Sequence, residues 1–437
     1  MVGKGFEIDW LIRRARLLSI IALATAFTSA VPAESAARHS RHSTIVVSTV
    51  AELYEEVNDP TNAGRTIVLA AGTYPLSATA SPSTGGRLDL QLDMSLVGVE
   101  NDAGAVIIDA SDPQLSFNFT IGRTGIIRIG LGNNTIEWLT VRGNPAAAAA
   151  ISTDLVQTDL AGIAMPTTIR VAHVVAGGSA RGVDIRNPTV ATKGRRIVGE
   201  LEDNDFYFGV EGIRFANFVG ADNAEIVVDM RRNHSHQNRV GCIFENNRSN
   251  NATITVTSHG DQFDDNGLGC QIGGGLANAH MVNAQPGEAS FNTTRFDAHK
   301  SRFTNNTRTV FNTAAGGPMF ADKGGLFVSA GEILGTPPLT YSASGNAVIV
   351  RLWDCDISGN HDVEVVGGKI IEHFDLEAFG ARSDVVPPSD ELAGIDNRVL
   401  IQLHKMPAVD VVEHDSAPDD PNRTNTVTVV RTPRKGD

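Results

Sequence analysis

The sequence predicts an all-β solenoid, because it contains a short repeat, strand-like spacing within that repeat, and a composition suited to strands and turns. Residues 223–228 return as residues 251–256, and residues 238–242 return as 266–270, with a constant offset of 28 positions. The repeat carries short alternating segments and Asn/Gly turns, which is typical of strands and not of helical spacing. A repeat of this length buries its apolar face by stacking on its neighbours.

The composition agrees with this fold class. The chain of 437 residues contains 43 Gly and many Val, Ile, Thr and Asn, but only 4 Tyr and 3 Trp, a balance that favours strands and turns over helices. Length alone would allow two or three domains. A solenoid grows in one dimension, however, and needs no such division.

Further copies of the repeat share one pattern: a polar residue, an apolar residue two places on, and an Asn three places after that. The pattern occurs at residues 261–266, 301–306 and, more loosely, 355–360. The apolar residue is expected in the core. The Asn is expected in a turn, because Asn tolerates the left-handed backbone region.

Two segments interrupt the repeat. The Gly- and Ala-rich residues between Ile272 and Ala289 predict a loop on one side of the solenoid, where such insertions usually lie. The Ala-rich residues 145–164 are compatible with a surface helix or a disordered loop.

Residues 1–30 are typical of a secretory signal peptide, since basic residues precede an apolar run over 17–27 and small residues at 28–30 suit cleavage. The apolar run is too short for a comfortable membrane span. Residues 31–43 predict a disordered lead. A first strand and a short amphipathic helix near residues 50–57 follow, and the helix is expected to cap the open end of the solenoid. We therefore expect an exported protein, periplasmic, cell-surface or extracellular, with no stable membrane span after cleavage.

The net charge excludes some partners. The formal charge is -14, and removal of the predicted signal peptide, with four basic and two acidic residues, makes it -16. An acidic protein repels nucleic acid and anionic lipid, so neither is an expected partner. The same charge would repel a polyuronate unless a local basic patch or a bound Ca²⁺ offset it.

Five segments carry a resemblance to a known superfamily: Ala-Glu-Leu at 51–53, Thr-Ile-Val-Leu at 66–69, Gly-Thr-Tyr at 72–74, Leu-Val-Gly at 96–98 and Ile-Glu-Trp-Leu-Thr-Val at 136–141. They resemble the pectate-lyase-like superfamily of secreted proteins. The resemblance implies a right-handed parallel β-helix over residues 44–410, with 411–437 as a C-terminal cap or tail. It does not specify an activity, since the superfamily includes lyases, hydrolases, esterases, epimerases, phage spikes and adhesins.

The repeat also predicts which residues face solvent. Alternation in the strand ending at His259 sends Thr257 and His259 outward, and stacking at about 4.8 Å places equivalent residues of other coils beside them. One predicted column is Asp229, Thr257, Asp297 and Arg351, and the other is Arg231, His259, His299 and Trp353.

Enzymes of the resembled superfamily often have their cleft on such an exposed sheet, which implies roles for these columns. The candidate catalytic residues are Arg231, His259, His299, Asp229 and Asp297. Arg351 and Trp353 are the candidate substrate-binding residues, for a sugar carboxylate and a sugar ring. The alternative is a polar ladder with no catalytic role, which solenoid surfaces commonly carry.

Two clusters could hold a metal ion. Asp261, Asp264 and Asp265 could bind Ca²⁺, which prefers oxygen ligands, or could simply stabilise a turn. His234 and His236 form a His-x-His pair that would share one face of a strand and could hold a transition metal. No third ligand at a fixed spacing from this pair is evident in the sequence.

The three Cys residues are too few for a disulfide scaffold. Cys242 and Cys270 hold equivalent places in successive coils. Their parallel Cβ directions favour a stacked pair of buried thiols over a disulfide bond.

Two functions are compatible with these features. The first is an exported β-helix protein that binds a polysaccharide or cell-surface glycan along its lateral sheet, with or without cleaving it as a lyase or hydrolase, and with Ca²⁺ as an optional cofactor. The second is a non-catalytic surface, matrix or adhesin-type scaffold. The sequence lacks the Asn-Thr-Asp, Gly-His-Gly and Arg-Ile-Lys motifs of polygalacturonase-like enzymes, which counts against that particular activity.

Overall fold

The structure is a computed structural model, and it describes residues 43–117, 124–153, 166–188, 192–278, 288–307, 324–334, 343–366, 369–383, 396–414 and 425–432. The predicted signal peptide and nearly all of the predicted lead lie outside these residues. Thr44–Asp437 form one structural unit, which contains all of the described helices and strands.

The first third of the unit contains a helix, α1 (Val50–Asn58), two 3₁₀ turns (Pro60–Asn62 and Ala103–Ala105) and ten strands: β1 Thr44–Val47, β2 Thr66–Leu69, β3 Gly72–Pro75, β4 Leu88–Asp89, β5 Ser95–Val97, β6 Val106–Asp109, β7 Gly125–Arg128, β8 Gly132–Arg142, β9 Ala149–Ser152 and β10 Thr167–Gly177. The regular middle part contains β11 Arg181–Asn187, β12 Arg196–Glu202, β13 Asp205–Tyr207, β14 Glu211–Asn217, β15 Glu225–Arg231, β16 His234–His236, β17 Val240–Asn246, β18 Thr253–His259, β19 Gln262–Asp264 and β20 Leu268–Asn278. The last part contains β21 Thr293–His299, β22 Arg302–Thr304, β23 Gly324–Leu334, β24 Ala347–Trp353, β25 Asp356–Ser358, β26 Asp362–Val366, β27 Lys369–His373, β28 Leu376–Ser383, β29 Arg398–His404, β30 Val411–His414 and β31 Thr426–Thr432.

The strands stack in three parallel arrays. The long array runs through β12, β15, β18, β21, β24, β29 and β31, and the short array through β13, β16, β19, β22 and β25. Both belong to one 19-stranded sheet, because β10 pairs with strands of both arrays. The third array is a separate 10-stranded sheet from β4 to β30, here called the second sheet. Among the described strands, only the β26–β27 hairpin is antiparallel. The predicted all-β parallel β-helix is confirmed.

The sequence repeat is the register of this β-helix. Ile226 pairs with Ile254, and Cys242 pairs with Cys270. Both cysteines are buried free thiols, as predicted. In β18, Val256 and Ser258 are buried, which confirms the alternation read from the sequence.

Buried asparagine ladders hold successive turns together. Asn306 donates from Nδ2 to Oδ1 of Asn360 at 3.0 Å, and Asn266 donates to Asn306 in the same way at 3.2 Å. The expectation that these Asn residues take the left-handed backbone conformation is wrong. That conformation belongs to the residue before each of them, for example Asn305 at φ 57° and Gly359 at φ 71°. The side-chain amide of each Asn therefore bonds to the next coil and does not serve a left-handed turn position.

The N-terminal helix closes one end, as predicted. Thr49 and Glu52 form a capping box at its start, which satisfies two backbone N–H groups. Leu53 and Val57 are fully buried. The helix packs against β1 and β4, which are terminal strands of the two large sheets, so it covers their exposed apolar side.

The two interrupting segments and the C-terminus differ in part from the sequence expectation. Residues 149–152, expected in a helix or loop, form the strand β9, whose side chains are all buried in the second sheet, and residues 154–164 lie outside the described part. Of the loop predicted after Ile272, residues 273–278 continue the strand β20, and residues 279–287 lie outside the described part. Beyond residue 410, β30 and β31 continue the two sheets, so the described part of the predicted cap adds strands to the β-helix.

From β12 to β25, the coils differ in length only in the segments that adjoin the second sheet. The bend from the long to the short array has two residues in every coil from β12 to β25. In contrast, residues 305–323 separate β22 from β23, and residues 335–346 separate β23 from β24. The second sheet is therefore the face that is flanked by insertions.

Candidate functional site

The structure brings the predicted column of the long array together. Arg231 pairs with His259, His259 with His299, and His299 with Trp353. The rings of His259 and His299 stack with centroids 5.0 Å apart, and those of His299 and Trp353 with centroids 4.3 Å apart. His404, which the sequence pattern did not reveal, extends the stack at 5.2 Å from Trp353.

This stack affects the role expected of Trp353. His299 and His404 cover the two faces of its indole ring, with interplanar angles of 1° and 8°. A sugar ring packs on the face of an aromatic side chain, where the π density lies. Trp353 therefore offers an incoming glycan only its ring edge.

The charged residues of the neighbouring column are also paired. Arg231 forms an ion pair with Asp229. Asp297 binds Arg295 at 2.6 Å and lies 4.0 Å from Arg351. The described ladder thus neutralises its own charges at the surface. Its catalytic role stays a prediction.

His299 differs in ionisation from a free histidine. Burial and the nearby His259 ring lower its pKa below the usual value. It is thus neutral at pH 7, a state suited to accepting a proton but equally to stacking.

The predicted Ca²⁺ ligands point in different directions. Asp261 is fully buried, where Oδ1 accepts hydrogen bonds from the backbone N–H (2.7 Å) and Nδ2 (2.8 Å) of Asn233. Burial raises the pKa of Asp261 to about 6. Asp264 faces outward and lies 2.6 Å from His234 Nε2, while Asp265 is exposed at a left-handed turn position. Ca²⁺ binding by these residues stays a prediction.

A second group of candidate functional residues was not predicted from the sequence. It lies on the outer face of the second sheet, on β11, β14 and β17 and at the residue before β17, and is called here the Arg214 cluster. Its members are Arg181, Asp184, Arg186, Glu211, Arg214, Arg239 and Glu245.

The centre of the cluster is a buried ion pair. Ile213 and Phe215 point into the core, so alternation sends Arg214 to the outer face. Arg214 binds both carboxylate oxygens of Asp184, at 3.0 Å and 2.7 Å. Burial opposes ionisation of Asp184, but Arg214 and Arg186 outweigh it and hold its pKa below the usual value. This pair is charged at every physiological pH.

Glu211 is the second carboxylate of the cluster. It pairs with Arg181 and lies 3.9 Å from Arg214. Burial opposes its ionisation, but Arg181 and Arg214 still lower its pKa. Two of the three carboxylates are thus fixed as anions by arginines.

Glu245 behaves differently from these two. Burial raises its pKa to about 7, with Arg214 opposing the shift and Glu211 adding to it. The residue is partly exposed, and its carboxylate has no hydrogen bond or ion pair within the described ranges. A carboxyl whose pKa is raised toward neutrality, and which is partly accessible and beside fixed charges, has the properties of an acid–base group.

A signal for this cluster does exist in the sequence. Asp184 and Arg214 each lie between two large apolar residues, and Glu245 follows one. Asp184 pairs in register with Arg214, and Glu245 lies two positions further along the next strand. A charge held inside such a strand must find a partner or shift its pKa.

No family of known proteins is matched by the sequence, and no functionally curated protein matches it. Among solved structures, the chain path is similar to the Azotobacter vinelandii mannuronan C-5 epimerase AlgE4 A-module, with TM-score 0.44 and 12% identity over 88% of this chain and 95% of that chain. It is also similar to the catalytic domain of a GH87 alpha-1,3-glucanase in complex with nigerose (TM-score 0.28, 13% identity, 90% and 69% covered). A third similar structure is the PL6 family alginate lyase AlyGC (TM-score 0.26, 10% identity, 89% and 75% covered). Similarities this remote assign neither an activity nor a substrate to this chain.

Within the described residues, none of the helices has the length and apolar character needed to cross a membrane.

Proposed function

We propose that this protein binds an anionic, uronate-containing polysaccharide on the outer face of its second sheet and cleaves it by acid–base catalysis, as a lyase or hydrolase. The observation that carries the proposal is Glu245, whose carboxyl has a pKa of about 7 beside the buried Arg214–Asp184 pair. The protein meets this glycan after export, with residues 1–30 removed.

The chemistry follows from the ionisation of Glu245. At neutral pH the carboxyl is present in both forms, so it can accept a proton in one step and return it in another. As a base it would remove the proton on the carbon next to a uronate carboxylate. In the lyase reaction the electrons of that C–H bond form a double bond as the adjacent glycosidic C–O bond breaks, and the carboxyl returns its proton to the leaving oxygen. In hydrolysis the carboxyl would protonate the glycosidic oxygen while water attacks the anomeric carbon.

The substrate class follows from charge. The chain as a whole carries -14, which repels a polyanion. The Arg214 cluster reverses this locally, because it holds four arginines against three carboxylates, and its net charge rises further when Glu245 is protonated. Arg181 and Arg239 are the partly exposed arginines of the cluster, and they are the ones that a polyuronate could reach.

The position of the second sheet supports the same surface. The insertions at 305–323 and 335–346 enter on opposite sides of β23. Chain segments beside a regular scaffold are where binding residues commonly lie.

The test is product analysis on uronate-containing glycans, with and without Ca²⁺. The mature protein should release unsaturated products or new reducing ends, and Glu245→Gln should lower the rate by about 100-fold or more. Glu225→Gln removes a partly exposed carboxylate of the long array and should leave the rate unchanged. An active Glu245→Gln variant, or no product from any glycan, would overturn the proposal.

One observation favours the second candidate function, a non-catalytic scaffold. The long-array ladder is stacked and charge-paired with itself, as expected of a structural stripe. Under this alternative the glycan would bind without turnover, and substitution of Arg231, His259 and His299 together by alanine would leave binding unchanged.

A further inference from the structure

The histidine pair on the short array has a third neighbour that the sequence did not reveal. His234 and His236 both face outward from β16. Asp205 of β13, one coil earlier, pairs in register with His234. Asp205 Oδ1 lies 2.9 Å from His236 Nε2 and 3.8 Å from His234 Nδ1. One carboxylate oxygen thus meets one nitrogen of each imidazole.

Three potential ligand atoms therefore converge at the surface. They all lie within 4.8 Å of one another, and within the described part of the chain no other group of three His, Cys, Asp or Glu residues does so. The two rings stack with centroids 4.2 Å apart and an interplanar angle of 20°, which keeps their nitrogens side by side. A separation of this size between ligand atoms suits a single bound cation.

A fourth residue orients one of the ligands. Asp264, in the coil after His234, lies 2.6 Å from His234 Nε2. When Nε2–H donates to this carboxylate, the lone pair is on Nδ1, the nitrogen that faces Asp205. A carboxylate that fixes the tautomer of a histidine in this way is a recurring part of metal sites.

We propose that Asp205, His234 and His236 form a surface site for a divalent transition metal such as Zn²⁺, with Asp264 as a positioning residue. Two imidazoles and one carboxylate favour such a metal over Ca²⁺, which prefers oxygen ligands alone. The site is accessible, since the side chains of His234 and Asp205 are 39% and 40% exposed. Three protein ligands leave coordination positions open to water or to a group on a bound molecule.

This site is separate from the Arg214 cluster, because it lies on the short array and the cluster lies on the second sheet. Its test therefore needs no glycan. The full chain, first treated with EDTA and then dialysed, is titrated with Co²⁺, whose visible absorption reports nitrogen and oxygen ligation. Zn²⁺ is then added in competition.

The proposal predicts one Co²⁺ per chain, displaced by one Zn²⁺. His236→Ala and Asp205→Asn should each weaken binding by at least about 10-fold, and Asp264→Asn by about 10-fold. The matched control is His404→Ala, which removes another histidine of the same sheet outside the site and should leave the affinity unchanged. Circular dichroism of each variant establishes that it is folded, and His236→Gln replaces His236→Ala if the latter is not.

Two results would overturn the proposal. One is the absence of stoichiometric Co²⁺ binding to the wild-type chain. The other is Co²⁺ binding that is unchanged in both Asp205→Asn and His236→Ala (or His236→Gln). Equal weakening by His404→Ala would count in the same way, because the metal would then be held elsewhere.

Discussion

Asp261 occupies the place of an asparagine in a buried ladder. Asn204 donates from Nδ2 to Asn233 at 2.8 Å, and Asn233 donates in turn to Asp261 at 2.8 Å. Ser258 donates its hydroxyl proton to the other oxygen of Asp261. The carboxylate is therefore well supplied with hydrogen bonds, yet burial still raises its pKa to about 6 from an ordinary value of 3.8.

The sign of the resulting pH dependence is fixed by this shift. A carboxyl whose pKa is raised on folding binds its proton more tightly in the native state. Its contribution to stability is therefore fully present below about pH 4 and is lost as the pH rises through about 6.

We predict that Asp261→Asn stabilises the protein at pH 8 by about 1–3 kcal/mol and has little effect near pH 3.5. An asparagine keeps the oxygen that Asn233 needs and removes the buried charge. Urea denaturation across this pH range measures the difference. Asp265→Asn, at an exposed turn position, controls for the loss of one negative charge. A gain at pH 3.5 that disappears at pH 8 would contradict the assignment.

At the scale of the element, a second asparagine ladder, formed by Asn266, Asn306 and Asn360, joins coils that differ in length. Asn306 is bonded on both sides: it accepts from Asn266 and donates to Asn360 and to the backbone carbonyl of Phe263 (2.9 Å). It therefore connects three successive turns.

We predict that Asn306→Ala lowers the free energy of unfolding by about 2–4 kcal/mol, because it leaves buried donors of Asn266 and the Phe263 carbonyl unsatisfied. Gln262→Ala, on the exposed side of the same array, is the matched control and should change stability by less than about 0.5 kcal/mol. Equal losses in the two variants, measured by urea denaturation, would show that the ladder is not a major source of stability.

The strand register could be predicted from the sequence because similar residues recur at a fixed offset near residues 226–256. The two-residue period of the pleat then decides which side chains face outward. The column from Arg231 to Trp353 followed from it directly. The coverage of Trp353 was missed, because the column was not extended to the strand 51 residues further on, where His404 pairs with Trp353.

Glu245 was missed for a different reason. β14 and most of β17 are buried on both faces, so their charged residues do not show the polar–apolar alternation that identifies an exposed column. The pKa of Glu245 depends on Arg214 and Glu211 of the neighbouring coil and on the degree of burial. The repeat gives the backbone pairing of these residues but not their burial. The same holds for Asp205, whose oxygen meets the histidine pair only through side-chain geometry.

At the scale of the whole molecule, the three arrays differ in what surrounds them. From β12 to β25 the long and short arrays are joined by a bend of two residues, and the long array carries a stripe of stacked rings and ion-paired side chains. The second sheet has insertions on both sides and a group of arginines on its outer face. Variable flanking segments on a constant scaffold are where binding sites are usually built.

The most direct test of the acid–base role of Glu245 is the titration of its carboxyl group. Carboxyl-carbon NMR of the glutamate-labelled protein, with Glu245→Gln to assign the resonance, gives the pKa in solution without requiring a known glycan. The structure predicts a value of about 7 for Glu245. A value near 4.5, that of an ordinary glutamate, would contradict this role and remove Glu245 as the acid–base group.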